Sequence, residues 1–299
     1  MISGVTGFVG QNLAEHPGMK RHEVLTGDRH TLRDSESARA EFYRRSPDLI
    51  VHLAGRVGGI QANLADPVNF LVDNLEMGFN CVMGAWRAGV PKLINLGSSC
   101  MYPVKAPQPF REESLGQSPV EPTNEAYAMA KLTVAALCRF LNESHGTAYK
   151  TLIPPGIYGP HAHFEGDRAH LVGAVMARLH KAKLAGDAEA PIWSDGQARR
   201  EFLFAGDLAD CIVRAIDEFD SLPEVMNVGT GYDLSVDQWS RTNADAVGYR
   251  GKFRHDLSKP SGAPAKVMDV SRAAEWGWTA PTSLADGLRQ TYEWYLKNA

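Results

Sequence analysis

The chain has 299 residues, 44% of them hydrophobic and 22% charged, which excludes both a disordered polymer and a small disulfide-stapled module. Lys and Arg total 31 against 35 for Asp and Glu, a formal net charge of -4, so neither nucleic acid nor an anionic membrane surface is the expected partner. An anionic small ligand stays open, because a few arginines in a cleft bind a diphosphate whatever the net charge.

The cysteines, Cys81, Cys100, Cys138 and Cys211, are far apart and form no CxxC pair, which argues for reduced thiols and against structural zinc or a redox dithiol. There is no long apolar stretch and no basic-then-apolar N-terminal segment, so a cytoplasmic protein is expected.

The first half alternates short apolar runs with helical periodicity, the pattern of β-α units around a parallel sheet. It begins with Gly4-Val5-Thr6-Gly7-Phe8-Val9-Gly10, directly before a helix expected at 9–15. Glycines at such a junction let the backbone approach a pyrophosphate whose charge the helix N-terminus stabilises. Alone the motif is weak, because a ligand-free turn uses the same glycines. Only Met1, Ile2 and Ser3 precede it, where a first strand usually supplies about five residues. Either the natural start is missing or the fold tolerates a very short strand. A strand at 23–25 then leads to Asp28, 18 residues beyond Gly10, where an acidic side chain holds an adenosine ribose. Arg29 beside it suits a 2′-phosphate instead, which leaves NAD and NADP both open at this point.

A helix at 35–45, a strand at 48–53 and a long helix at 67–88 follow. The long helix carries Phe70, Leu71, Leu75, Phe79, Val82, Met83 and Trp86, more apolar positions than one face needs. That fits burial between the sheet and neighbouring helices, or sharing with a second subunit. A strand at 92–97, a helix at 124–144 stopped by Gly146 and a strand at 150–153 complete the first half. From Pro154 onward come Gly- and Pro-rich turns, a helix at 169–185 and a closing amphipathic helix at 283–296. The expected fold is α/β, a Rossmann-like doubly wound parallel sheet over 1–153 with a smaller, irregular C-terminal substrate lobe over 154–299. Strand-like segments at 201–204 and 226–228 are expected to rejoin the sheet, returning about 201–230 to the first unit.

The strongest chemical signal is Tyr127-Ala128-Met129-Ala130-Lys131, behind the strand-end Gly97-Ser98-Ser99-Cys100-Met101-Tyr102-Pro103. Residues i and i+4 share a helix face, so Lys131 lies beside Tyr127. Its ammonium is expected to favour the phenolate and lower the tyrosine pKa from about 10. Tyr127 then exchanges a proton with a carbonyl or alcohol oxygen while a nicotinamide exchanges hydride at the carbon, and Ser98 hydrogen-bonds the same oxygen. A lone YxxxK is common by chance; behind the glycine turn and the Ser-Ser pair it reads as catalytic. A non-catalytic dinucleotide sensor would need none of Ser98, Tyr127 and Lys131.

At these residues the chain resembles the extended short-chain dehydrogenase/reductase family, and the resemblance runs through nearly its whole length. It includes Arg56-Val57-Gly58-Gly59-Ile60-Gln61-Ala62-Asn63, Glu121-Pro122-Thr123-Asn124-Glu125-Ala126-Tyr127, Tyr158-Gly159-Pro160-His161, Arg200-Glu201-Phe202-Leu203 and Asn227-Val228-Gly229-Thr230-Gly231. Val57-Gly58-Gly59-Ile60 and the Cys100 of Gly-Ser-Ser-Cys narrow it to members that epimerise and then reduce a GDP-linked 4-keto-6-deoxy-hexose with NADPH. The resemblance implies Ser98, Tyr127 and Lys131 as reductase residues, with Cys100 and His170 as the epimerase pair. It implies NADP contacts at Gly4, Thr6, Gly7, Phe8, Val9, Gly10, Asp28, Arg29, Leu96, Lys131, Pro154, Ile157 and His170. It also implies a nucleotide-sugar held by Arg178, Trp193, Arg200 and Lys266, and a homodimer. Forked guanidinium donors match a diphosphate, and an indole covers a sugar or base face. Without the resemblance, Cys100 and Trp193 read as core residues and His170 and Arg178 as surface ones. The chain departs from the family's usual residues at Thr6, Gly156, Ser261 and Ala265.

Overall fold

The apolar runs of the first half pair as parallel strands. In chain order these are β1 (Ile2–Ser3), β2 (Thr26–Gly27), β3 (Leu49–His52), β4 (Lys92–Leu96) and β5 (Ala148–Ile153). With Val225–Asn227 they form a six-stranded sheet in the spatial order Val225–Asn227, β5, β4, β3, β1, β2. The computed structural model describes residues 1–27, 31–166, 168–258 and 263–298.

Strands β3 and β4 are buried along almost their whole length, as a parallel sheet covered on both faces requires. The helices of the first half are α1 (Phe8–Glu15), α2 (Ser35–Arg45), α3 (Ile60–Ala65), α4 (Pro67–Arg87) and α5 (Glu125–His145). Helices α2, α4 and α5 cover one face of the sheet through Ala38, Phe42, Cys81, Val82, Val134 and Cys138, packed with Ile50, Leu93 and Tyr149. Gly78 of α4 lies so close to the Val134 side chain of α5 that a Cβ there would collide with it. On the other face, Leu13 of α1 joins Leu208 and Ile212 of the helix Ala205–Asp217 over Ile94, Leu152 and Met226. A second apolar cluster gathers Val172 and Met176 of α6 (Leu171–Ala185) with Tyr158, Phe202, Trp239, Leu288 and Tyr295.

Three termini follow directly from local chemistry. Asp34 caps α2 by accepting from the Ser37 N–H at 2.8 Å; Pro67 opens α4 where its missing N–H costs nothing; Gly146 ends α5 in the left-handed conformation at φ 67°.

Two strand expectations need correction. The strand expected at 23–25 forms at Thr26–Gly27, because its ladder is set by β1, which offers only Ile2 opposite Thr26 and Ser3 opposite Gly27. Of the two segments expected to rejoin the sheet, Val225–Asn227 does so beside β5. The 201–204 segment does not: Phe202–Phe204 pairs in parallel with Gly156–Tyr158 in a separate two-stranded sheet. Apolar alternation identified a buried strand there without specifying its partner.

Because β2 and β3 flank β1 on opposite sides, the chain departs from β1 at a topological switch point. In open α/β sheets the crevice outside the carboxyl ends of the strands at such a point is where ligands bind.

Candidate active site

The turn after β1 is built so that only glycine fits. Gly4 has φ +76°, and a Cβ on it would lie 2.6 Å from the Ala54 nitrogen; a Cβ on Gly10 would lie 2.6 Å from the Val5 Cα and drive into the Gly4 carbonyl. Gly7 stands at the N-cap of α1 with no side chain to cap the helix. The result is an uncapped helix N-terminus behind a backbone cradle, the geometry that suits a pyrophosphate. Gly10→Ala is therefore expected to destabilise the protein by about 1–3 kcal/mol and to weaken dinucleotide binding. Thermal unfolding and a fluorescence titration with NADPH check both.

The cradle opens into a continuous cleft of about 1850 Å³ that crosses the strand ends to α6. The cleft brings together Gly4, Thr6, Gly7, Phe8, Val9 and Gly10 with Leu96, Pro154 and Ile157, and beyond them Ser98, Cys100, Tyr127, Lys131, His170, Arg178, Trp193, Arg200 and Lys266. Asp28 and Arg29, and Ser261 among the departures, lie outside the described residues.

Tyr127 and Lys131 sit one turn apart on α5. The Lys131 Nζ is buried and donates to the Leu96 carbonyl at 2.9 Å. Burial brings its pKa down to about 8. Ser98 follows β4 and caps the short turn Ser99–Met101, its Oγ accepting from the Cys100 N–H at 3.2 Å. Its hydroxyl also lies close enough to the Tyr127 phenol to favour that phenol's ionised form.

The expected downward pull of Lys131 on Tyr127 is not what this structure contains. Burial pushes the Tyr127 phenol well above its ordinary value, nearby Cys100 adds to the rise, and only the Ser98 hydroxyl opposes it. The ammonium is directed at the Leu96 carbonyl, and desolvation of a phenolate outweighs one neutral hydroxyl. Tyr127 is thus held with its proton on, the state an acid needs.

One group near this pair was missed by sequence reasoning. His52, at the end of β3, is 1% exposed, and its Nδ1 lies 2.8 Å from the Ser3 Oγ. Burial, reinforced by the charge of Lys131, lowers its pKa to about 3, so it stays neutral and links β1 to β3 beneath the cradle. A histidine closing an otherwise apolar strand was the available signal.

On the substrate side, Cys100 is only partly buried, whereas Cys81, Cys138 and Cys211 are buried. It accepts a hydrogen bond from the Asn124 Nδ2 at 3.1 Å. Arg200 faces Glu121, Cys100 and Asp233; burial, the largest influence, lowers the Arg200 pKa, and these three groups oppose it. His170 occupies the N-cap of α6 without capping it; burial, then the charge of His163, lowers its pKa. Arg178 donates to the Pro191 carbonyl at 2.9 Å and stands 5.3 Å from the Trp193 ring centroid. Trp193 is 42% exposed and lines the cleft, so it is not core filler.

Glu201 was also missed as a contributor. It is 3% exposed, and one carboxylate oxygen accepts from the Thr230 and Gly231 N–H groups at 2.6 and 2.9 Å while the other accepts from the Met268 N–H at 2.7 Å. Its own N–H donates to the Lys266 carbonyl at 3.1 Å, so it fixes the backbones that carry Arg200 and Lys266.

The pattern of the NAD dependent epimerase/dehydratase family matches residues 1–229. The chain belongs to that family. It is 41% identical over 298 residues to a GDP-L-fucose synthase of Azorhizobium caulinodans, covering 99% of this chain and 96% of that one. Its fold superposes with a TM-score of 0.92 on a GDP-6-OMe-4-keto-L-xylo-heptose reductase from C. jejuni, at 26% identity and covering 100% and 97% of the two chains. A GDP-L-fucose synthetase from Naegleria fowleri bound to NADP aligns at TM-score 0.86 and 26% identity, covering 99% and 92%. The segment that matches the NAD dependent epimerase/dehydratase family includes the glycine turn and every cleft residue discussed above except Lys266. Lys266 is joined to them through its backbone contact with Glu201.

Proposed function

We propose that the chain is an NADPH-dependent GDP-L-fucose synthase, which epimerises GDP-4-keto-6-deoxy-D-mannose at C3 and C5 and reduces it at C4. The observation that carries this reading is one cleft lined together by Ser98, Cys100, Tyr127 and Lys131, with the Ser98 Oγ accepting from the Cys100 N–H. Full-length similarity to a GDP-L-fucose synthase and a like fold bound to NADP support the substrate and the cofactor.

The glycine cradle and the α1 N-terminus fit the pyrophosphate of a dinucleotide, with Leu96, Pro154 and Ile157 along its course and Lys131 toward its ribose. When bound, NADPH supplies the hydride for C4. Tyr127 donates a proton to the C4 oxygen, and Ser98 hydrogen-bonds the same oxygen. Protons at C3 and C5 flank the ketone. Cys100 as thiolate takes such a proton, the electron pair moves onto the C4 oxygen, and Tyr127 and Ser98 stabilise the resulting enolate. His170, protonated from solvent to the imidazolium, returns a proton to the carbon on the opposite face, and the resulting Cys100 thiol and neutral His170 then exchange protons with solvent to restore the thiolate and the imidazolium. Arg178, Arg200 and Lys266 bind the diphosphate, and Trp193 covers a sugar or base face. In this reading residues 1–153 are the NADP unit and 154–299 mainly the nucleotide-sugar lobe, in a cytoplasmic enzyme.

A second reading, a reductase of another GDP-4-keto sugar such as a modified heptose, is favoured by the TM-score of 0.92 with a heptose reductase. Incubation with GDP-4-keto-6-deoxy-D-mannose and either NADPH or NADH, followed by product stereochemistry, separates the readings. GDP-L-fucose formed with NADPH is the expected product. A C4-reduced sugar with C3 and C5 unchanged favours a plain reductase, and no cofactor consumption with any keto-sugar leaves a dinucleotide sensor.

We further propose a homodimer through α4 and α5. Val68, Val72 and Phe79 of α4 are 68, 39 and 41% exposed, and Met129 and Phe140 of α5 are 43 and 52% exposed, apolar stripes that a second copy would cover. Val72→Asp with Phe79→Asp is expected to give a monomer by light scattering; a wild-type protein that is itself monomeric at micromolar concentration would refute the interface.

A further inference from the structure

Asn124 sits where an asparagine normally caps a helix. It is the N-cap of α5, yet its side chain makes no capping hydrogen bond, forgoing a contact commonly worth about 1 kcal/mol. Its amide turns instead toward the cleft, where Nδ2 donates to the Cys100 Sγ at 3.1 Å. Its Oδ1 is buried and accepts no hydrogen bond among the described residues. A buried, unpaired amide oxygen is costly, so the side chain is held against two local preferences at once.

We infer that Asn124 is a positioning residue for epimerisation: its N–H holds the Cys100 sulfur in the thiolate form that removes a sugar proton, and its Oδ1 accepts a hydroxyl of the bound sugar. The inference rests on the proposed role of Cys100. An N–H donor to sulfur favours the charged form over the neutral one, because hydrogen bonds to ionised groups are the stronger ones. Among the described residues, the charged or titratable groups facing Cys100 are Tyr127, which shares α5, and Arg200, which also faces Glu121 and Asp233. Arg200 supplies charge to the sulfur, and Asn124 supplies direction. Three residues along the same helix, Tyr127 stands ready for the ketone oxygen, so one helix start arranges both the enolising group and the group that receives the electron pair.

The test uses the full-length protein with iodoacetamide as probe. Cys81, Cys138 and Cys211 are at most 1% exposed, so alkylation of the folded protein reads Cys100 alone, checked by peptide mass spectrometry. In Asn124→Ala the pH profile of alkylation is expected to move up by about one pH unit, the loss of one hydrogen bond to a charged group. In Asn124→Asp, which keeps the side chain's shape, it is expected to move further, because a carboxylate then faces the thiolate. In both variants deuterium incorporation at C3 and C5 of GDP-4-keto-6-deoxy-D-mannose in heavy water is expected to fall about tenfold. KM is expected to rise in Asn124→Ala through loss of the hydroxyl contact, with NADPH binding unchanged as the sign that the fold is intact.

Alkylation profiles that superimpose on wild type in both variants overturn the sulfur contact, and an unchanged KM overturns the hydroxyl contact. A Cys100→Ala control keeps the two ideas apart. If that control exchanges deuterium at the wild-type rate, the role of Cys100 fails while the alkylation profile still decides Asn124. If it does not exchange and the profiles are unmoved, Cys100 keeps its role and Asn124 loses the one assigned to it here.

Discussion

Tyr127→Phe is expected to lower the rate of C4 reduction by about 10²- to 10⁴-fold, the usual loss when a positioned general acid is removed. The phenyl ring keeps its place on α5, but no proton is left to meet the C4 oxygen, and Ser98 alone cannot supply one without itself becoming an alkoxide. NADPH binding is expected to stay within a few-fold of wild type, because the glycine cradle and Lys131 are untouched. Single-turnover reduction measured by loss of NADPH absorbance, beside a binding titration, separates the two. A rate within a few-fold of wild type would remove Tyr127 from the chemistry.

The same geometry sets the sign of the pH dependence. Reduction uses Tyr127 with its proton on and Lys131 with its charge on. Burial raises the Tyr127 pKa well above the working range and lowers that of Lys131 to about 8. The reduction rate is therefore expected to be level below pH 8 and to fall above it, as Lys131 loses its proton before Tyr127 does. A Lys131→Arg enzyme, which cannot lose its charge, would keep the rate level at higher pH if the larger head group is accommodated.

How much of this was legible in the sequence follows the physical origin of each signal. Helix α2 was expected at 35–45 and is found at Ser35–Arg45, because a cap, a short apolar stripe and a stop are all local features. The glycine turn was legible because steric exclusion leaves one residue type at Gly4 and Gly10. The location of β2 was not, since a two-residue strand is defined by its partner and by no pattern of its own. Periodicity likewise marked 201–204 as buried and extended, but it carries no information on which edge receives it.

In the site, the i and i+4 spacing of Tyr127 and Lys131 was readable, whereas the acceptor of the ammonium was not. Leu96 is 35 positions away in sequence, and its carbonyl looks like any other until the strand ends are stacked. The same holds for Glu201, whose carboxylate accepts from backbone groups 29, 30 and 67 residues away. Long-range hydrogen bonds from side chain to backbone leave no periodic trace, and they are what turns a motif into a geometry.

Cys100→Ala is expected to separate the two chemistries that share one ketone. Reduction depends on Tyr127, Ser98 and Lys131, none of which is altered, and the Ser98 Oγ keeps its bond to the residue-100 N–H because that contact is to backbone. Inversion depends on a base that reaches C3 and C5, and alanine offers none. The variant should bind NADPH normally and reduce the C4 ketone without inversion, giving a GDP-sugar that keeps the manno arrangement. Solvent deuterium makes the test direct, because enolisation exchanges the C3 and C5 protons even with no NADPH present to finish the reaction. Wild type is expected to incorporate deuterium at both carbons, and Cys100→Ala to lose incorporation by about 10²-fold or more, as befits loss of an acid-base group. His170→Ala provides the opposite edge of the argument. If Cys100 removes the proton and His170 returns it from the other face, the His170 variant should still exchange deuterium with retention while failing to invert. Equal and complete loss of exchange in both would mean that the two groups act as one coupled unit; normal exchange in Cys100→Ala would leave the sulfur as a packed thiol and place the base elsewhere in the cleft.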